Sequence, residues 1–281
     1  MKKDSARHPC SHQPLVRLLD SVVEGDNCDI MRQWPDESVD LVVTSPPYDD
    51  LRTYGGHSWD FYGVAWNLKR ILKPGGVIVW NVADATVKGT ETGSSMRQGL
   101  HFLTLGMNLH DTMIYAKLNP MPKNDRRYEP AWEYAFVVSK GKPNVWNPIT
   151  EPSKSAGKIR KGTQWTEDGQ LKPMWGNGQP VKSEKVRKNV WEYAVGCDRD
   201  LSGSHPARFP IQFAIDHIRS WSNPGDIVVD PFAGSGTTLK AAKDLGRRFV
   251  GIELSPEFAA VARKRLISES NASDQTRRAQ D

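Results

Sequence analysis

Cysteine is scarce in this chain of 281 residues: Cys10, Cys28 and Cys197 are far apart, with no CxxC pair and no histidine cluster beside them. That argues against a disulfide framework and against a cysteine zinc site, so no metal is expected. Long hydrophobic runs are missing too, since no stretch approaches the length of a membrane-spanning helix. The opening MKKDSARHPCSHQ is basic but lacks the apolar core of a secretory signal. A cytoplasmic location with no membrane partner is expected. What is present is an ordinary globular composition, 38% hydrophobic with 23 glycines, which excludes disorder throughout. The length suits one large domain or two modest ones, and no internal repeat is visible.

Excess charge of one sign is local. The net charge is +5, yet between Lys117 and Lys188 there are 15 Lys and Arg against 7 Asp and Glu, so this stretch carries +8 and the remainder −3. It also holds Trp132, Trp146, Trp165 and Trp175. Cations interleaved with aromatic rings suit phosphates and bases together. The plainer alternative is a polar insertion whose tryptophans pack into a small core of their own. On the first reading, Trp165, Trp175, Lys182, Lys185, Arg187 and Lys188 are the candidate nucleic-acid contacts.

Strand and helix signals alternate along most of the chain. Ser21 to Asp26 reads as a short strand, Asn27 as the cap of a brief helix ending near Trp34-Pro35, and Ser38 to Thr44 as a buried strand stopped by Pro46-Pro47. Ser58 caps a predicted helix through Leu72, in which Phe61, Val64, Ala65, Leu68 and Ile71 recur at helical spacing. A strand at Gly76 to Asn81, a helix at Ser94 to Met107 and strands at Leu109 to Ala116 and Ala131 to Val138 follow. Periodicity fails from Lys140 to Asn189. It returns with a helix at Pro210 to Trp221, a strand at Asp226 to Asp230, a glycine-rich turn, a helix at Thr237 to Leu245, a strand at Arg248 to Glu253 and a helix at Pro256 to Ile267. Such alternation predicts an α/β sheet.

Two loops carry the chemistry. In Asp230-Pro-Phe-Ala-Gly-Ser-Gly-Thr-Thr238, small residues stand where a backbone must approach a ligand closely, and a helix N-terminus faces the gap. Glu253 ends the next strand, where a carboxylate can accept from both ribose hydroxyls, so a nucleoside cofactor fits. Only two of the three glycines of GxGxxG are present, and no Lys completes a phosphate-cradling loop, which weakens a nicotinamide or nucleotide-triphosphate reading. The second loop, Thr44-Ser-Pro-Pro-Tyr48, follows a different buried strand. Its prolines fix the direction of the Pro46 carbonyl beside the Ser45 hydroxyl, giving two acceptors suited to an exocyclic amino group, while Tyr48 offers a flat face for a base. A rigid turn with a packed tyrosine is the alternative.

With both loops in one chain, the sequence resembles the amino-group DNA methyltransferases, which modify N4 of cytosine or N6 of adenine. Asp40-Leu-Val-Val-Thr-Ser-Pro-Pro-Tyr48 is similar to the family's catalytic motif, and Val229-Asp-Pro-Phe-Ala-Gly-Ser-Gly-Thr-Thr238 to its S-adenosylmethionine motif. Gly25-Asp26, Leu72-Lys-Pro-Gly-Gly76, Arg127-Tyr-Glu129 and His205-Pro-Ala-Arg-Phe-Pro210 are weaker matches. Catalytic motif first and cofactor motif last resembles the class called beta. The resemblance implies a class I S-adenosylmethionine-dependent methyltransferase fold, a mostly parallel seven-stranded sheet with helices on both faces and its halves swapped in chain order. It implies a polar leader at 1–19, a catalytic half at 20–139, a target-recognition region at 140–189, a cofactor-binding half at 190–267 and a frayed tail at 268–281. Ser45, Pro46, Pro47 and Tyr48 would be catalytic. Phe232, Gly234, Gly236 and Thr237 would enclose the methionine part of the cofactor, with Asp230 nearby, Glu253 on the ribose and Asp26 near the adenine, while Phe209 would pack beside the cofactor.

The implied partner is duplex DNA with its target base flipped out, and hence a nucleoid-associated location. A cognate restriction endonuclease and the choice between monomer and homodimer are left open by the resemblance. So is the base. Adenine members of this class usually carry Asp where Ser45 stands, and the Thr-Ser-Pro-Pro-Tyr form resembles cytosine-N4 members, so cytosine N4 is the expectation and adenine N6 the alternative. Outside this family, a nicotinamide-dependent oxidoreductase would leave Ser45-Pro-Pro-Tyr48 and the basic, Trp-bearing stretch unexplained, and a noncatalytic DNA-binding module is the other rival, separated by a methyl-transfer assay on mixed DNA.

Overall fold

The computed structural model describes residues 14–47, 59–120, 122, 126–195 and 209–267. The chain divides into two compact units, one running to Trp146 and resuming at Asn189, the other spanning Asn147–Lys188.

In the first unit the elements are α1 (Leu15–Leu18), β1 (Ser21–Glu24), α2 (Asn27–Met31), β2 (Val39–Thr44), α3 (Phe61–Ile71), β3 (Leu72–Val82), β4 (Thr86–Val87), β5 (Thr90–Glu91), α4 (Ser94–Thr104), β6 (Asn108–Lys117) and β7 (Trp132–Ser139). The second unit contributes β8 (Thr150–Pro152), β9 (Thr163–Trp165), β10 (Leu171–Pro173) and β11 (Glu184–Val186). The first unit then continues with β12 (Val190–Tyr193), α5 (Ile211–Trp221), β13 (Ile227–Asp230), α6 (Thr237–Asp244), β14 (Arg248–Glu253) and α7 (Pro256–Ile267).

One sheet in the order β1-β14-β13-β2-β3-β7-β6-β12 organises this unit. β7 runs antiparallel to both its neighbours and every other pairing is parallel. Parallel central strands must be covered on both faces, which is why Leu41-Val-Val43 and Val77-Ile-Val79 are continuous apolar runs. Strand alternation sends Val42, Ile78, Trp80, Val138 and Val229 into a core with Met31, Leu68, Ile71 and Phe102. Intervening residues face the other side, where α5 packs on β2 and α6 on β13 and β14.

The structure departs from the sequence reading at several points. The sheet has eight strands where seven were expected; β12 lies at the edge beside β6. The cap of α2 is Asp26, whose side chain accepts the Asp29 N–H, and not Asn27. α3 is capped by Asp60, whose carboxylate accepts the Gly63 N–H; Ser58 lies outside the described residues, as do Cys10, Cys197, the expected tail and residues 1–13. The end of the expected leader is folded, since Leu15 and Leu18 of α1 join the core. Residues 140–146 belong to the first unit: Lys140 Nζ donates to the Leu72 carbonyl at 3.0 Å, Asn144 Nδ2 to that of Pro74 at 2.7 Å, and the Trp146 ring packs on Trp221.

The second unit is a set of short antiparallel pairings, β8 with β11 and β9 with β10, extended by bonds such as Gly157 N–H to the Val181 carbonyl. None of its residues is buried. Both ends of the excursion are tied near the start of β6. Trp146 packs on Trp221, whose ring lies 5.4 Å from that of His110, and Asn189 Nδ2 donates to Asp111 Oδ1 at 3.3 Å. Replacing residues 147–188 with a short Gly/Ser linker is therefore expected to leave the first unit folded. A thermal melt checks this: a single cooperative transition is expected, and loss of cooperativity would contradict it.

Candidate active site

β13 and β2 are adjacent, with Val229 opposite Val42, and each ends in a polar residue at the carboxyl edge of the sheet. Buried polar ends are tolerable only when paired. Here they pair with each other: Thr44 Oγ1 donates to Asp230 Oδ1 at 2.7 Å. The same oxygen accepts the Phe232 N–H at 3.0 Å. The Thr238 hydroxyl is within hydrogen-bond reach of both the carboxylate and, at 3.1 Å, the Val43 carbonyl, and its one proton serves one of them at a time. Burial pushes the Asp230 carboxyl up from 3.8 to about 6, against the opposing pull of Thr44, Thr238 and the Phe232 amide.

The turn after Asp230 needs its glycines. Gly234 and Gly236 have φ of +50° and +79°, a region that side-chain-bearing residues avoid, and a Cβ on Gly236 would lie 3.1 Å from that of Ala262. Gly236 caps α6 without a side-chain cap, so N–H groups that lack a carbonyl partner within the helix mark the end of the loop. Three side chains hold the turn from outside. Glu253 Oε2 accepts the Gly234 N–H at 2.7 Å, Asn27 Nδ2 donates to the Pro231 carbonyl at 3.1 Å, and Arg265 Nη1 donates to Thr237 Oγ1 at 3.0 Å. Glu253 Oε1 also accepts the Ser255 N–H at 2.9 Å. A carboxylate offers roughly four acceptor positions, so these two bonds leave Glu253 able to receive hydroxyl donors. Asp26 stands just beyond β1, where the Gly25 N–H donates to the Glu253 carbonyl at 3.0 Å.

Ser45, Pro46 and Pro47 leave β2 at this same edge, Pro46 buried and its neighbours half-buried. Tyr48 lies outside the described residues. Asn81 Nδ2 reaches Ser45 Oγ at 3.5 Å. Phe232 is packed edge-on against Trp59 at 5.0 Å and Trp80 at 6.4 Å, and Phe209 lies 5.2 Å from Phe213 of α5.

In the second unit, Trp165 is 74% and Trp175 79% exposed, which overturns the alternative of a small tryptophan core. Trp132 and Trp146 belong to the first unit. Arg160 lies over the Trp175 ring at 5.5 Å. Lys182 is exposed; Lys185 Nζ pairs with Glu151 at 2.8 Å, and Lys185, Lys188 and Arg187 together hold the Glu151 carboxyl below its ordinary value. An exposed pair of this kind contributes little and exchanges readily.

Sequence reasoning missed Thr44, Asn27 and Arg265, and also Asn81, Glu133 and Lys117, which form a polar chain leading to Ser45. The signal for Asn81 and Glu133 was there: they share a strand face with Val77 and Val79 on β3 and with Ala135 and Val137 on β7.

A family profile described as DNA methylase, for the N6/N4 group, matches residues 39–264. The orphan methyltransferase M.BamHII of Bacillus amyloliquefaciens is 46% identical over 238 residues, covering 82% of this chain and 89% of that protein. The type II methyltransferase M.BglII of Bacillus subtilis is 30% identical over 268 residues, covering 89% and 70%. Among solved structures, the PvuII DNA methyltransferase (cytosine-N4-specific) aligns with a TM-score of 0.64 at 22% identity over 90% of both chains, a likeness of fold. A DNA modification methylase from Thermus thermophilus, complexed with S-adenosyl-L-methionine, aligns with a TM-score of 0.60 at 26% identity over 89% and 93%. The α/β sheet is therefore that of the class I methyltransferases.

Asp230 makes stability depend on pH. Its folded carboxyl holds the proton more tightly than the unfolded chain does, so its contribution is fully present below 3.8 and is lost as pH rises through about 6. A rise of that size corresponds to about 3 kcal/mol. In urea melts between pH 4 and 7, Asp230→Asn is expected to gain on wild type by roughly this amount as pH rises. A pH-independent difference would contradict the assignment.

Proposed function

Because the chain belongs to the DNA methylases of the N6/N4 amino-group family, we propose that it is a site-specific enzyme that methylates N4 of cytosine in duplex DNA with S-adenosyl-L-methionine. The observation that carries this reading is the Thr44–Asp230 hydrogen bond, because it sets the Ser45-Pro46 turn beside the glycine-rich turn at one sheet edge. When bound, S-adenosyl-L-methionine supplies an electrophilic methyl group on a sulfonium centre. The positive-φ glycines, the N-terminus of α6 and the Glu253 carboxylate fit such a ligand. On this reading Phe232, Gly234, Gly236 and Thr237 surround its methionine part, Glu253 takes the ribose hydroxyls, Asp26 lies toward the adenine and Phe209 packs beside the cofactor. Asp230 acts from beneath, by holding the turn.

Ser45 and the Pro46 carbonyl accept the two N–H groups of the flipped base. That draws the nitrogen lone pair out of conjugation with the ring and aims it at the methyl carbon, so alignment and charge stabilisation supply the rate. The carbon–sulfur bond would break as the nitrogen–carbon bond forms, leaving a neutral thioether, and the nitrogen would then release one N–H proton to solvent. No covalent nucleophile is needed. Tyr48 enters on sequence grounds as the stacking face that offsets part of the unstacking cost. Cytosine is favoured over adenine by Ser45 in the Thr-Ser-Pro-Pro-Tyr form. Residues 147–188, exposed and rich in cations with Trp165 and Trp175 outward, serve as the target-recognition region.

Expression in a methylation-free bacterial host followed by nucleoside mass spectrometry is expected to yield N4-methylcytosine. N6-methyladenine would overturn the base assignment, and unmodified DNA the whole reading. Ser45→Ala is expected to lower methyl transfer by about 10²-fold or more while calorimetry finds cofactor affinity unchanged; near wild-type turnover would remove Ser45 from the site.

Neutralising Lys182, Lys185, Arg187 and Lys188 together is expected to weaken binding to all DNA sequences and to flatten its salt dependence, by about 0.9 in log–log slope per lost phosphate contact. Substituting Trp165 or Trp175 should change which sequence is methylated. An unaltered salt slope in the quadruple variant would exclude these cations from the contact surface.

A further inference from the structure

A polar chain crosses three strands at the carboxyl edge of the sheet and ends at Ser45. Lys117, the last residue of β6, places Nζ 2.8 Å from Glu133 Oε1 on β7. Glu133 Oε2 accepts from Asn81 Nδ2 on β3 at 2.7 Å, and the same nitrogen lies 3.5 Å from Ser45 Oγ. Asn81 is fully buried and Glu133 nearly so. Enclosed ion pairs rarely add stability over apolar side chains of similar size, so a stability role is a weak explanation for this one.

The chemistry of the chain fixes its direction. A carboxylate held by the Lys117 ammonium only accepts, so the Asn81 atom that meets it must be the amide NH2 and not the carbonyl oxygen. The amide thereby turns a donor toward Ser45. A distance of 3.5 Å is long, but catalytic hydrogen bonds commonly tighten when substrate binds.

We propose that Lys117 and Glu133 are positioning residues for methyl transfer: they lock the Asn81 amide with its NH2 toward the Ser45 hydroxyl, and so fix the orientation in which that hydroxyl receives the target amino group. This rests on the role given to Ser45 above. In Glu133→Gln, Lys117 claims the new amide's carbonyl, the Gln NH2 then meets Asn81, and the Asn81 amide must turn over and offer Ser45 an acceptor. Shape is retained while polarity is reversed.

The test measures single-turnover methyl transfer, cofactor and DNA affinities, and melting temperature in the full chain for Glu133→Gln, Lys117→Met and Lys117→Arg. Glu133→Gln and Lys117→Met are expected to lose at least tenfold in single-turnover rate with both affinities within twofold of wild type, whereas Lys117→Arg, which keeps the ion pair, stays near the wild-type rate. Lys117 is partly solvent-exposed, so its pair of variants carries the test if Glu133→Gln does not fold. A wild-type rate in Glu133→Gln or Lys117→Met, alongside an inactive Ser45→Ala, would overturn the positioning role and leave the proposed function standing. Equal losses in Lys117→Met and Lys117→Arg, tracking melting temperature, would also overturn it. A wild-type chain that methylates no DNA would instead remove the reading on which it rests.

Discussion

Asp230 is shared by three segments that the pairing of β2 with β13 brings to one edge of the sheet. Thr44 ends the strand that leads into Ser45-Pro46-Pro47, Phe232 belongs to the glycine-rich turn, and Thr238 lies in the first turn of α6. Burying a carboxylate is costly, as its raised pKa records, and the hydrogen bonds only partly offset that cost. What the arrangement yields is a fixed spacing between the loop that would hold the amino group and the loop that would hold the methyl donor. Methyl transfer is sensitive to alignment, so a rigid joint beneath both loops matters more than any one contact above them.

The sheet makes that joint available despite the swapped chain order. In the structure β2 and β13 are neighbours although Thr44 and Asp230 are separated by most of the chain. Parallel pairing places the carboxyl ends of both strands at one edge, where ligands of open α/β sheets bind. The order in which the two loops occur along the sequence therefore has little bearing on the site that they form.

The central strands were legible because Leu41-Val-Val43, Val77-Ile-Val79 and Val228-Val229 are apolar runs bounded by Pro or Gly, and α3 because its apolar residues recur at helical spacing. β12 was not, because only Val190-Trp-Glu-Tyr193 alternates, directly after a long stretch without periodicity. The two loops were legible as local motifs; the side chains that brace them were not. Asn27 and Arg265 act on partners far away in the chain, and nothing local distinguishes them from residues exposed on a surface; Asn81 and Glu133 stand out as polar residues in apolar strands, but their pairing with each other is a tertiary contact. Glu253 illustrates the limit from the other side: its place at the end of β14 was readable, but the backbone N–H groups of Gly234 and Ser255 that orient it became visible only in three dimensions. The same holds for residues 147–188, whose composition indicated a basic aromatic surface but gave no account of the antiparallel pairing of β9 with β10 that carries the exposed Trp165, or of the turn that carries the exposed Trp175.

The most direct measurement is a crystal structure of this chain with a nonreactive S-adenosylmethionine analogue and its target duplex. The account predicts an extruded cytosine whose N4 lies about 3 Å from both the Ser45 hydroxyl and the Pro46 carbonyl, with the analogue seated over Gly234 and Gly236. A target nitrogen bound away from Ser45, or an analogue bound elsewhere than at the glycine-rich turn, would contradict it.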